Sequence, residues 1–178
     1  MVAFDPSADL ISDPGFRYLH NSCVTLFWRR PLLENAVAQL AAADYHLVPM
    51  DAAQWTTPAE MHRDLAQALD FPAYYGHNLN ALTDCMRDVV THQYGWPEKA
   101  TGLVLVFTGY DGFAKRHPVV AQHVLDIMAI QSRNALLFGG RLICLVQSDD
   151  PMLEFDPVGS VPVIWNDAEW LLANRRVP

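Results

Sequence analysis

The chain has 178 residues, 51% of them apolar and 18% charged, which fits one packed domain with a sizeable core and excludes a disordered chain. Its net charge of -8 disfavours direct nucleic-acid binding, which needs a cationic footprint, and suits a basic partner. Cys23, Cys85 and Cys144 sit in separate apolar runs without metal-ligand spacing, so free buried thiols and a cytoplasmic location are expected.

In chain order, Asp5-Pro6 and Asp13-Pro14 are turn signals, and residues 1–20 read as a segment wrapped loosely over the surface. The N-terminus carries Asp5, Asp9 and Asp13 with no basic-then-apolar pattern, so no signal peptide is expected. No apolar run is long enough to span a bilayer, so no membrane partner is expected. Cys23–Trp28 reads as a strand. Pro31 opens a helix whose stripe is Leu32, Leu33, Ala36, Val37 and Leu40. His46–Met50 is a short strand, and Pro49, lacking an N–H, places it at an edge or at the strand's end.

Thr57-Pro58-Ala59-Glu60 is a capping box that starts a helix with Met61, Leu65, Ala68 and Leu69 inward. Leu103–Phe107 and Leu142–Val146 are unbroken apolar runs, as strands covered on both faces require. Between them a long helix runs from about Pro118 to Phe138 and ends at Gly139-Gly140. Pro162–Trp165 suggests one more strand. Asn166 and Glu169 suggest a capped final helix carrying Trp170 and Leu171, with residues 151–178 docked on the core. Strands alternating with helices predict an α/β fold with a mainly parallel sheet and helical crossovers.

The densest signal lies at residues 71–85, Phe-Pro-Ala-Tyr-Tyr-Gly-His-Asn-Leu-Asn-Ala-Leu-Thr-Asp-Cys. Pro72 biases Phe71 toward an extended backbone, Gly76 is open to conformations closed to most residues, and Asn78 suits an N-cap. Leu79, Leu82, Met86, Val89 and Val90 then follow a helical period. The opposite face carries Asn80, Thr83, Asp84 and Arg87 at i, i+3, i+4 and i+7. A tyrosine-bearing loop beside a small polar helix face suits a protein–protein contact. No base, nucleophile or metal set gathers there, so neither catalysis nor a cofactor is expected.

This stretch resembles the core motif of the barstar family, intracellular ribonuclease inhibitors that share the Pro-x-Tyr-Tyr-Gly-x-Asn-Leu-Asp-Ala-Leu-Trp-Asp-Cys pattern. Asn80 stands where the family has Asp, and Thr83 where it has Trp. The resemblance implies a barstar-like small parallel sheet packed with helices, as one domain over 1–178. The core would cover about 45–147, with an added N-terminal strand and helix in 1–44 and a C-terminal strand-helix tail in 148–178. It implies an antitoxin or immunity protein that plugs a toxic, basic ribonuclease with the loop 72–78 and the polar face of helix 79–91. The partner-binding residues carried over are Tyr74, Gly76, Asn78, Asn80, Thr83 and Asp84, with Arg87 on the same face. Asn80 and Thr83 point to a target other than a close relative of barnase.

Two other readings stay open: an interaction module for a non-nuclease partner, and a small α/β enzyme or ligand-binding domain. The second would use the loop Gly109-Tyr110-Asp111-Gly112, which follows a strand end, although a plain turn is expected there.

Overall fold

The computed structural model describes residues 13–175. Asp13 caps a short helix, α1 (Pro14–Leu19), by accepting from the Gly15 N–H at 2.7 Å. It also accepts from the Tyr45 hydroxyl at 2.7 Å and pairs with the Arg141 guanidinium. Residues 13–19 are therefore a pinned helix rather than a loose wrap; the expectation for residues 1–12 lies outside the described residues. Strand β1 (Val24–Phe27) leads to α2 (Arg30–Ala42), which Pro31 opens as expected. Strand β2 (His46–Asp51) is followed by a single 3-10 turn, Ala52–Gln54, and then α3 (Pro58–Ala68). Thr57 and Glu60 form the reciprocal capping box at the start of α3.

Helix α4 (Leu79–Val90) carries the motif face. Strand β3 (Leu103–Thr108), α5 (Tyr110–Arg116), α6 (Pro118–Leu137) and β4 (Leu142–Gln147) complete the matched pattern of alternating elements. The sheet is parallel throughout, in the order β2-β3-β4-β1-β5, where β5 is the two-residue strand Ile164–Trp165. β2, with its Pro49, lies at one edge as the missing N–H requires.

Strand order dictates the layers. The chain leaves β1, passes over two strands to β2 and then works back through β3 to β4, so its direction along the sheet reverses once. Right-handed crossovers then put α2 on one face and α3–α6 on the other. The alternation of side chains records this. Val24, Leu26, Leu103, Leu105, Phe107, Cys144 and Val146 pack toward α3–α6. Phe27, Val104, Val106, Ile143 and Leu145 pack toward α2 with Leu33, Ala36 and Leu40, and with Tyr18 from α1. Each fully buried aliphatic contributes roughly 1.5–3 kcal/mol. Without the N-terminal segment, Val104, Val106, Ile143 and Leu145 would face water.

The C-terminal segment departs from the sequence reading. Among the described residues no α-helix follows Asn166; a turn leads to a 3-10 segment, Leu172–Arg175. Glu169 does not serve as a surface capping residue. Its carboxylate is fully buried and accepts from the backbone N–H groups of Trp28 (2.9 Å) and Arg29 (3.0 Å), from Arg29 Nε (2.9 Å) and from the Asn166 amide (2.5 Å). Those two N–H groups belong to the entry into α2, so Glu169 fastens the chain end to a helix start 140 residues earlier. Trp165 is buried, whereas Trp170, Leu171 and Leu172 are exposed. The tail thus docks through part of its apolar residues only.

Candidate partner-binding site

After α3 the chain turns at Asp70, which takes a left-handed backbone (φ 53°). Phe71 N–H donates to the Ala66 carbonyl at 2.9 Å, and Tyr75 N–H to the Pro72 carbonyl at 2.9 Å, closing a tight turn. This turn sends the two adjacent tyrosines opposite ways. Tyr75 is 6% exposed and sits against Phe71 with ring centroids 4.9 Å apart. Tyr74 is 81% exposed.

The buried tyrosine has a partner that sequence reading missed. Tyr75 Oη and His62 Nδ1 are hydrogen-bonded at 2.5 Å, and the two rings meet edge to face at 5.8 Å. Burial, with a contribution from His77, holds the His62 imidazole below its ordinary pKa and so favours its neutral form. Burial also pushes the Tyr75 phenol up. Thirteen residues and a turn separate the two groups, so no local spacing announces the pair. Its role is positional: it locks the floor of the loop to α3.

The start of α4 is built by Gly76, His77 and Asn78. The expectation for Gly76 is corrected. The left-handed backbone falls on His77 (φ 47°), and Gly76 does not take one. The junction is close-packed at Gly76, where a Cβ would lie 3.0 Å from Asn78 Nδ2, so the Asn78 cap would have to shift by a few tenths of an ångström to admit a side chain. Asn78 caps the helix, accepting from the Ala81 N–H at 2.9 Å, while its amide donates to the Gly76 carbonyl at 3.1 Å. Both polar ends of Asn78 are thereby engaged inside the protein.

Along α4, Leu82, Cys85, Met86, Val89 and Val90 are buried, as the helical period requires. Cys85 is thus a core thiol. Thr83 is half-buried, and its hydroxyl donates to the Leu79 carbonyl at 2.9 Å, so the side chain shows mainly its methyl outward. Its carbonyl receives the amide of buried Gln131 from α6 at 3.3 Å, tying the middle of α4 to the layer behind it. Asn80, Asp84 and Arg87 are exposed on one face. Arg87 Nη2 donates to Asp84 Oδ1 at 2.9 Å, with both side chains more than half exposed. An open cleft of about 560 Å³ lies beside Asn80, lined by His62, His77, Asn78, Leu79, Asn80 and Val120.

The seven residues singled out by sequence therefore divide by task. Tyr74, Asn80, Asp84 and Arg87 present free or exposed groups to the surroundings. Gly76 and Asn78 shape the loop-to-helix junction, and Thr83 lies between the two sets. The second open reading fares differently. Gly109-Tyr110-Asp111-Gly112 is not a plain turn: Gly109, at φ 64°, leads directly into α5. Its N–H already donates to Gln147 Oε1 at 2.8 Å, and Asp111 accepts from the Asp149 N–H at 3.0 Å. Among the described residues, no group of three or more His, Cys, Asp or Glu side chains is placed to hold a metal ion, and no helix is long and apolar enough to cross a membrane.

Among the described residues, the parallel α/β scaffold presents one exposed tyrosine, Tyr74, and a polar helix face on α4. The family model described as barstar (barnase inhibitor) matches residues 45–147, more than half of the chain, and the chain belongs to the barstar family. A Bacillus subtilis (strain 168) protein named "Putative ribonuclease inhibitor YrdF" is 47% identical over 45 residues. That stretch is 25% of this chain and 42% of the relative, so the match spans less than half of the relative's length. β1, α1, α2 and β5 all lie outside the matched residues.

Proposed function

We propose that the chain is an antitoxin or immunity protein that binds a cognate toxic ribonuclease in the cytoplasm and blocks its active site. The docking surface is the loop 72–78 with the polar face of helix 79–91. The observation that carries this reading is Tyr74. It stands 81% exposed, next to Tyr75, which is 6% exposed and packed on Phe71. Exposed aromatics at rigid sites are the residues on which interfaces concentrate their binding energy. Asp84 supplies a carboxylate that can stand in for a substrate phosphate against the Arg, Lys or His groups of a nuclease. Asn80 offers an amide at the rim of the cleft beside it. Three free thiols support a reducing compartment.

The test is affinity capture from native lysate with the immobilised chain, followed by an assay of the captured protein for ribonuclease activity. The expected result is a nuclease that is silent in the complex and active after release, and that Tyr74→Ala and Asp84→Ala recover poorly. Capture of a protein without nuclease activity by the same face would instead support an interaction module for another enzyme. One observation favours that second reading: the internal pairing of Asp84 with Arg87 leaves the face without net charge.

A further inference from the structure

The chain is acidic as a whole, at -8, yet the face around Asp84 is not. Arg87 lies one turn further along α4 and binds Asp84 Oδ1 at 2.9 Å. Asn78, Asn80 and Thr83, which share the face, are uncharged, and the exposed His77 lies in the adjoining loop. Asp88 is half-buried and turned toward the Tyr94 hydroxyl, 3.4 Å away, rather than toward Asp84. The proposed contact face therefore shows a partner one acid and one base side by side. The i, i+3 pairing holds the Arg87 fork on this face.

We infer that Arg87 is a specificity-determining residue: the partner sets a carboxylate against Arg87 and a cation against Asp84, and a uniformly basic docking surface is rejected. This rests on the reading of 72–91 as the docking surface. Water screens Arg87 in the free protein. Docking removes that water, and a guanidinium left facing cationic groups suffers like-charge repulsion with no acceptor for its donors. A carboxylate at the same place matches the planar donor fork in two hydrogen bonds. An active-site cleft that grips phosphate is basic, so the acceptor for Arg87 must come from the rim of that cleft. The footprint of the partner is therefore an acidic rim residue next to a phosphate site, about one helical turn apart.

Barnase, the enzyme in the family's description, is the probe. Titration calorimetry against barnase would compare the full-length chain with Arg87→Ala, Arg87→Glu and the double variant Arg87→Ala/Asp84→Ala, each checked for folding by circular dichroism. The inference predicts that Arg87→Ala binds barnase at least tenfold more tightly than the unaltered chain and Arg87→Glu more tightly still. The gain should shrink as salt is raised toward 1 M, where screening reaches about 3 Å. Unchanged or weaker binding by both single variants overturns it, and so does a failure of every variant to bind, because removing Arg87 is claimed to open the face to such a cleft. The double variant separates the two readings. A gain on Arg87→Ala that is lost on adding Asp84→Ala supports both. A gain that survives loss of Asp84 leaves the role of Arg87 standing and removes Asp84 from the docking surface.

Discussion

Charged side chains are treated in opposite ways on α4 and in the C-terminal segment. Asp84 and Arg87 meet in water, each more than half exposed, with a single hydrogen bond between them. Such a surface pair contributes about 0–1 kcal/mol to stability. Glu169 and Arg175 are buried. Glu169 receives four donors; Arg175 donates to the carbonyls of Pro151 and Trp170 at 2.9 Å and of Glu169 at 2.5 Å, and lies 4.4 Å over the Trp165 ring. A buried charge is tolerated only when it is satisfied in this way. The same residue types thus act on two different links of the chain of cause. In the C-terminal segment they hold the fold, and on α4 they stay exposed to solvent. Substitutions in the two regions should give opposite signatures, stability without binding in one and binding without stability in the other.

The largest effect is expected at Trp165. Trp165→Ala empties a buried site and removes the surface that Arg175 covers, and should cost about 3–5 kcal/mol in chemical denaturation. Binding of the captured partner by the remaining folded protein should not change. A loss of affinity without loss of stability would merge the two regions into one interface.

Glu169→Ala should cost on the order of 3 kcal/mol, since it orphans the backbone N–H groups of Trp28 and Arg29 and leaves the Arg29 guanidinium without its acceptor. The pH response sharpens this. Burial works to raise the Glu169 pKa, but the Trp28 and Arg29 donors and the Asn166 amide outweigh it and hold the carboxyl below its ordinary value. A carboxyl depressed in the folded state contributes stability that is fully present above its unfolded pKa, near 4.3. That stability is lost as pH falls from there through the lower folded value. Thermal melts of the unaltered protein between about pH 5 and pH 3 should show this loss, and Glu169→Gln should flatten it.

Tyr74→Ala and Asp84→Ala should each weaken partner binding by on the order of 2 kcal/mol. Both side chains are exposed, so stability should stay within about 0.5 kcal/mol. Tyr75→Phe, by contrast, strips the hydroxyl from His62 Nδ1 and should lower stability by about 1–2 kcal/mol. That contrast between neighbouring tyrosines is the finest test of the turn geometry. The smallest effect is expected from Trp170→Ala. This exposed tryptophan should leave the melting temperature nearly unchanged, within about 0.5 kcal/mol.

Much of the fold is legible in the sequence because its signals are local. The Thr57–Glu60 box, the Asn78 cap and the apolar period of α4 each act within one or two turns of chain, and each forms as read. The apolar runs at 103–107 and 142–146 required cover on two faces, and α2 supplies the second cover. The C-terminal segment misleads for the converse reason. Asn166 and Glu169 have capping-box spacing, but the Glu169 carboxylate is itself buried and takes the backbone donors of Trp28 and Arg29 as its partners. Tertiary contact overrides the local pattern there. In the loop 72–78, the sequence separates Tyr74 from Tyr75 only by resemblance. The physical cause, the Pro72–Tyr75 turn and the His62 hydrogen bond, lies in contacts that no spacing rule contains. The placing of Asn80, Asp84 and Arg87 on one face follows from helical geometry alone, whereas the direct Asp84–Arg87 bond depends on rotamers that the period leaves open.

Hydrogen exchange of the chain, free and bound to the captured nuclease, measures where the partner sits. The account predicts that new protection concentrates in residues 72–91, strongest around Tyr74 and the first two turns of α4, with residues 149–175 unchanged. Protection confined to the C-terminal segment and α2, with 72–91 exchanging as in the free protein, would contradict it.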